Sequence, residues 1–275
     1  MAHKTLPPYR AMLVVDLKDF SGVPAAEQGA VGGRIPDLLH DTFQRMGHGY
    51  LWTEAKFPDH TGDGYAMGFR TKHLPILVDS FSSTLQQELA DLGRRTGVPQ
   101  RMRVSLSVGP LTDNSGPRIR DGQGAARIET HRLLDSEPVR DLLTRSNPQV
   151  TLVATIISAR VYQDVVVGGY SELRADHFVA APVKVKSYEG NAYLQVPLPS
   201  GDLLANGFAP VEPPRAGDPV ADSGEHASVR MGNVSGNRGT VIGSSRGPVQ
   251  TGNGVQVNDS TIHGTVMRDK RSGRK

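Results

Sequence analysis

The chain has 275 residues, 37% of them apolar, with a formal charge of +3 and no cysteine. That composition predicts one domain of ordinary size with a polar extension, and it excludes disulfides, thiolate metal sites and a cysteine nucleophile. The basic residues are few in excess and scattered, which argues against a nucleic-acid partner; no apolar run approaches the ~20 residues of a membrane span, and residues 11–15 are too short for a signal-peptide core, so a cytoplasmic protein with no membrane partner is expected.

The run 10–17 predicts a buried strand, being short, apolar and ended by polar residues. Helical periodicity occupies the second half of 25–46, where Ile35, Leu38, Leu39, Thr42 and Phe43 share a face behind Pro36. Residues 51–57 and 64–69 alternate, predicting a hairpin around Asp59-His60-Thr61-Gly62-Asp63. Leu77, Phe81, Leu85, Leu89 and Leu92 mark a helix over 74–97, with Gly93 and Gly97 as stops. Strict alternation of Met102, Val104, Leu106 and Val108 predicts a strand with one buried face. Short helices at 123–134 and 138–143, a β-branched strand at 150–157 turning helical over 158–166, and a closing hairpin at 178–185 and 192–196 complete the body. The order describes an α+β fold, an antiparallel sheet with helices on one face.

Two aspartates carry the chemistry. Asp16 ends the run Met12-Leu13-Val14-Val15 and precedes Leu17-Lys18-Asp19-Phe20-Ser21; Asp63 lies in Thr61-Gly62-Asp63-Gly64. Carboxylates at strand ends are the ligands that Mg²⁺ or Mn²⁺ takes when it carries a nucleoside triphosphate. Singly, each also fits a strand-end cap or an ordinary Asp-Gly turn. As a set with these flanks they resemble the class III nucleotidyl cyclase domain over 10–197.

That resemblance implies a ferredoxin-like sheet, two metals on Asp16 and Asp63, and attack of a 3′-hydroxyl on the α-phosphorus with loss of pyrophosphate. Phe20 and Ser21 match the segment whose backbone amides hold phosphate, although Asp19 stands where the family usually has Gly, which counts against catalysis. Gln123 and Arg127 match a helical Asn-x-x-x-Arg pair that stabilises the transition state from one helix face; the alternative for Arg127 is a surface pair with Glu129 or Asp135. Asp59 matches the first base-reading position, where an acid suits guanine or uracil better than adenine; the second falls near Gly116, in a loop that does not align. Lys186, or Lys184, matches the lysine that meets the terminal phosphates, at the start of the resembling segment Val183–Val196. The family builds each site from two head-to-tail subunits, which implies a homodimer.

After residue 197 the character changes. A Pro-rich linker is expected over 198–229, and from 230 to 266 a β-branched residue precedes Gly or Asn at Val234, Val241, Val249, Val255 and Ile262. Glycine at this density excludes a coiled coil, whereas short β-arcs stacking between chains fit. Val249-Gln250-Thr251-Gly252 and its near repeat Val255-Gln256-Val257-Asn258 resemble bacterial amyloid signalling motifs, which are similar to the RHIM core. The resemblance implies recruitment by a sensor protein carrying a like motif. A basic tail, 267–275, closes the chain. Together these features predict a cyclase-like signalling or defence effector that binds a metal–nucleoside triphosphate, or alternatively a catalytically inactive cyclase-homology module that binds a partner or senses nucleotide.

Overall fold

The apolar run at 11–15 becomes the middle of a seven-stranded sheet. In the computed structural model, which describes residues 5–113, 121–209, 249–251 and 255–257, the strands are β1 (Tyr9–Leu17), β2 (Lys56–His60), β3 (Gly64–Arg70), β4 (Met102–Pro110), β5 (Val153–Ser158), β6 (Val179–Val185) and β7 (Tyr188–Gln195). They lie in the order β2-β3-β1-β4-β5-β7-β6. All pairs are antiparallel except β4 with β5. The fold is α+β, with a mixed sheet. The chain divides into two units, Met1–Pro213 and Pro214–Lys275.

The helices are α1 (Ala25–Gly32), α2 (Ile35–Arg45), α3 (Tyr50–Glu54), α4 (Leu74–Ile76), α5 (Ser82–Thr96), α6 (Ala125–Leu134), α7 (Glu137–Thr144), α8 (Ala159–Val161) and α9 (Asp202–Asn206). A π-helical turn, Leu77–Phe81, joins α4 to α5. Because strand side chains alternate, β1 feeds two cores. Ala11, Leu13, Val15 and Leu17 meet Phe43 of α2 and Leu85 and Leu89 of α5, where Phe43 and Phe81 approach to 5.4 Å between ring centroids. Met12 and Val14 meet Ala126 and Leu134 of α6, and α7 packs Val139, Leu142 and Leu143 against Ala154 and Ile156 on that same side. Helices therefore cover both faces of the sheet, not the one face that alternation suggests.

Several segments differ from the sequence pattern for physical reasons. Residues 50–54 form a helical turn, which buries Leu51 and stacks Trp52 on Tyr65 at 5.8 Å; the strand begins only at Lys56. Residues 25–32 are helical without an apolar stripe because α1 buries only Gly32. On β4 both faces are buried, since Ser105 and Ser107 lie under α6. The body also runs past residue 197. Leu203 of α9 is buried, and Arg145 donates to Asp202 at 2.6 Å and to the carbonyl of Gly207 at 2.8 Å, so the segment placed at the start of the linker is packed chain.

In the second unit β8 (Val249–Thr251) and β9 (Val255–Val257) pair antiparallel with Gln250 opposite Gln256. The two near repeats thus pair with each other. Val234, Val241, Ile262, the basic tail and Gly116 lie outside the described residues.

One buried side chain ties α5 to the sheet. The Gln86 Oε1 accepts the Leu152 and Val153 N–H groups at 2.8 and 3.0 Å, and its Nε2 donates to the Val150 carbonyl at 2.9 Å. Gln86→Leu preserves volume but strands two buried N–H groups and a half-buried carbonyl, and should lower the unfolding free energy by about 3 kcal/mol in a denaturant titration.

Candidate functional site

The register of β1 with β3 brings the two aspartates together. Asp16 lies opposite Gly64, and the Leu17 N–H donates to the Asp63 carbonyl at 2.8 Å. The turn between β2 and β3 is held from both sides. His60 Nε2 bonds the Gly32 carbonyl at 3.0 Å, and Gly32 itself sits where any side chain would strike the Gly62 carbonyl. Gly64 is equally confined, since a Cβ there would stand 2.6 Å from the Val15 carbonyl oxygen. Burial pushes the Asp16 carboxyl up to about 6, against the pull of Arg103, and the charge of Asp63 adds to the rise. Two adjacent carboxylates, one of them poorly solvated, form a donor set that suits a hard divalent cation bound by one or two carboxylates plus phosphate oxygens. Among the described residues no cluster of three or more His, Cys, Asp or Glu is arranged to hold a metal by itself.

Arg103 is the residue that sequence reading missed. The alternation of β4 assigns it to a solvent face, yet its Nη2 bonds Asp16, its Nη1 donates to the Leu134 carbonyl at 3.4 Å, and its buried Nε has no partner among the described residues. The only signal for it was a lone cation in a strand of apolar and small residues. Arg103 belongs to a ladder. Ser107 Oγ donates to the Ala126 carbonyl at 2.9 Å and Ser105 Oγ to the Thr130 carbonyl at 2.8 Å. Alternate β4 residues thus bind α6 carbonyls one turn apart.

At the first turn of α6, Arg127 pairs with Asp59 of β2, not with Glu129 or Asp135. Glu129 instead accepts from the Tyr188 hydroxyl at 3.1 Å. Gln123 departs from its expected place. It precedes the helix, exposed, with its backbone N–H on Thr112 Oγ1 at 3.0 Å and its carbonyl accepting from the Thr112 N–H at 3.0 Å. It therefore does not share a helix face with Arg127, because Gly124 caps a helix that starts at Ala125.

Phe20 and Ser21 lie in a 3₁₀ turn, Phe20–Gly22, separated by two residues from the end of β1 at Leu17. Phe20 packs on the main core while Ser21 is exposed. Asp19 takes φ 61°, a backbone that suits Gly and that Asp tolerates, and its exposed carboxylate pairs with Lys18. Beside this turn a cleft of about 580 Å³ opens between Lys18, Phe20, Pro24, Val98 and Arg101. Lys186 stands at φ 53° in the turn of the β6–β7 hairpin, and Lys184 pairs with Glu189 at 3.6 Å. That hairpin ends at the sheet edge four strand spacings from β1, about 19 Å, so one chain does not bring either lysine to the aspartates.

No protein-family model and no curated protein matches the chain. Solved structures to which it is similar include adenylyl and guanylyl cyclases. The guanylyl cyclase Cya2 is 14% identical with a TM-score of 0.44, covering 70% of this chain and 92% of that one. The guanylate cyclase domain of RhGC from Catenaria anguillulae, solved with GTP, is 14% identical with a TM-score of 0.44, covering 72% and 100%. A bacterial light-regulated adenylyl cyclase is 16% identical with a TM-score of 0.46, covering 72% and 93%.

Replacing Arg103 leaves Asp16 buried without its cation, which raises its carboxyl further above the unfolded value of 3.8. A carboxyl raised on folding costs stability as pH climbs through its folded value and costs nothing below the unfolded one. In the metal-free chain, Arg103→Met should therefore lose about 3–5 kcal/mol at pH 8 and distinctly less at pH 5, read from denaturation curves in chelator.

Proposed function

We propose that the body of this chain is a cyclase-like signalling module that binds a metal–nucleoside triphosphate through Asp16 and Asp63. The observation that carries this reading is the juxtaposition of these two carboxylates at the ends of β1 and β3, with the Arg103 guanidinium on Asp16. Mg²⁺ or Mn²⁺ on the pair would supply charge stabilisation for phosphoryl chemistry. Arg103 would supply a fixed cation to the phosphates, and the backbone amides of Phe20 and Ser21 follow Asp16 by four and five residues.

Arg127 and the aspartates lie at opposite ends of α6. Arg103 links Asp16 to Leu134 in the last turn, and Arg127 sits seven residues earlier, about 10 Å along the axis. A reaction that needs both sets is therefore best served by a second chain, which supports a head-to-tail homodimer with two equivalent sites, and Lys186 would enter in the same way. In such a site the product is a 3′,5′-cyclic nucleotide and pyrophosphate. The second reading, a non-catalytic nucleotide-binding module, is favoured by Gln123 lying off the helix and by Arg127 already being paired with Asp59.

The tail adds recruitment. The recurrence of β-branched residues before Gly or Asn, and the facing repeats at 249–251 and 255–257, support a self-templating motif that a partner of like sequence engages in signalling or defence.

Mixing purified chain with Mn²⁺ and each of the four ribonucleoside triphosphates separates the readings. Metal-dependent binding should be abolished by Asp16→Ala and by Asp63→Ala, and a cyclic product distinguishes enzyme from binding module. Unaltered binding in the double variant would sink the assignment.

For the tail, a peptide covering 232–264 should form fibrils with a strand spacing of about 4.7 Å. Proline at Val249 or Val255 should prevent them by removing a ladder donor. A peptide that stays monomeric at high concentration refutes the motif.

A further inference from the structure

Strand β2 pairs with β3 out of step. Lys56 lies opposite Gly68 and Asp59 opposite Ala66, so three steps along β2 match two along β3. One extra residue is absorbed in a β-bulge. The strain falls on Phe57, whose φ of 57° puts a bulky side chain in the left-handed region. Pro58, which has no N–H, follows on this edge strand, where it costs no central ladder bond.

The bulge decides where Asp59 points. With a two-residue period, Lys56 and Asp59 of an unbroken strand would occupy opposite faces; one added residue puts them on the same face. That shared face lies under α6. Lys56 Nζ donates to Asp113 at 2.9 Å, Phe57 packs against the Met12, Val14 and Ala126 cluster, and Asp59 receives Arg127. The ring is held between two glycines: a Cβ on Gly68 would stand 2.7 Å from Phe57 Cδ2, and one on Gly122 would stand 2.6 Å from Cγ. Gly122, itself at φ 73°, leads through Gln123 and Gly124 into the helix that carries Arg127. The ring therefore touches both β3 and the approach to α6, while the backbone of the bulge, not the ring, fixes the face that Asp59 occupies.

We propose that Phe57 is a positioning residue whose left-handed bulge aims Asp59 and thereby sets the base preference of the nucleotide site. The second half of this inference rests on the nucleotide reading above. Aimed this way, the carboxylate accepts from a base edge that carries two adjacent N–H donors, as guanine does. Uracil offers one donor flanked by two acceptors, and adenine presents a bare N1.

The test contrasts two changes at Phe57. Glycine accepts positive φ and keeps the bulge while losing the ring; deletion of Phe57 removes the bulge and keeps every other side chain. The first readout needs no ligand. In the parent, Asp59→Asn and Arg127→Gln should lower the melting temperature non-additively, because they share one interaction. That coupling should persist in Phe57→Gly and vanish in the deletion. The second readout is the ratio of GTP to ATP affinity in Mn²⁺. It should fall about tenfold in the deletion, matching Asp59→Asn, and stay near the parent value in Phe57→Gly. A role in packing alone would weaken all nucleotides equally and would harm Phe57→Gly as much as the deletion. Should the deleted chain not fold, Phe57→Val replaces it, since a β-branched residue rejects this backbone. Coupling retained in the deletion, or in Phe57→Val when that stands in, overturns the inference. Coupling lost with an unchanged ratio overturns its second half. Failure of the parent to bind any nucleotide removes the nucleotide reading, while the coupling measurement still decides how Asp59 is aimed.

Discussion

The seating of α6 on the polar side of β4 is the constraint on which the rest of the arrangement depends. Arg103, Ser105 and Ser107 reach carbonyls at Leu134, Thr130 and Ala126, one helical turn apart. The Ala126 and Thr130 carbonyls lie within the helix and have a second lone pair to offer, so Ser105 and Ser107 are buried with partners, whereas the Arg103 Nε is buried without one among the described residues. Gly109 continues the row, with a hypothetical Cβ 3.1 Å from that of Ala126, so the start of α6 can approach the strand closely. The helix axis and its rotation are thereby fixed relative to β1 and β3, which carry the aspartates.

That geometry distributes charge in two pairs. Asp16 with Arg103 lies at the end of α6, and Asp59 with Arg127 lies at its beginning. Two of the three carboxylates proposed to meet metal or base, Asp16 and Asp59, are held by a guanidinium from the same chain, whereas Asp63 accepts from the Thr61 hydroxyl at 3.5 Å. In the proposed site a metal–triphosphate complex would bring the complementary charges, cation for the carboxylates and phosphate for the arginines.

Backbone strain follows the same map. Among the described residues the non-glycine positions with positive φ are Asp19, Phe57 and Lys186. Asp19 precedes the Phe20–Ser21 turn, Phe57 precedes Asp59, and Lys186 is itself a candidate phosphate ligand. Such conformations persist only where surrounding packing over-determines them. For Phe57 that packing is visible, because its ring is closed in by Gly68 and Gly122. For Asp19 the short polar side chain makes the conformation cheap.

The sequence alone determined those features that a period or a turn residue encodes locally. The alternation and apolar runs of β1 and β4, the leucine ladder of α5 ended at Gly97, and the Gly-Asp turn that carries Asp63 are all legible because burial of a regular element leaves a repeating apolar pattern. The α+β order followed from them. The tertiary structure decided what pattern cannot encode. A serine or arginine that faces a helix backbone looks the same in sequence as one that faces water, so the second buried face of β4 and the helices on both sides of the sheet were hidden. The partners of the charged groups lie far away along the chain, 87 positions between Arg103 and Asp16 and 68 between Arg127 and Asp59. A one-residue bulge turns Asp59 from one face of the sheet to the other, and only the pairing of β2 with β3 registers that extra residue.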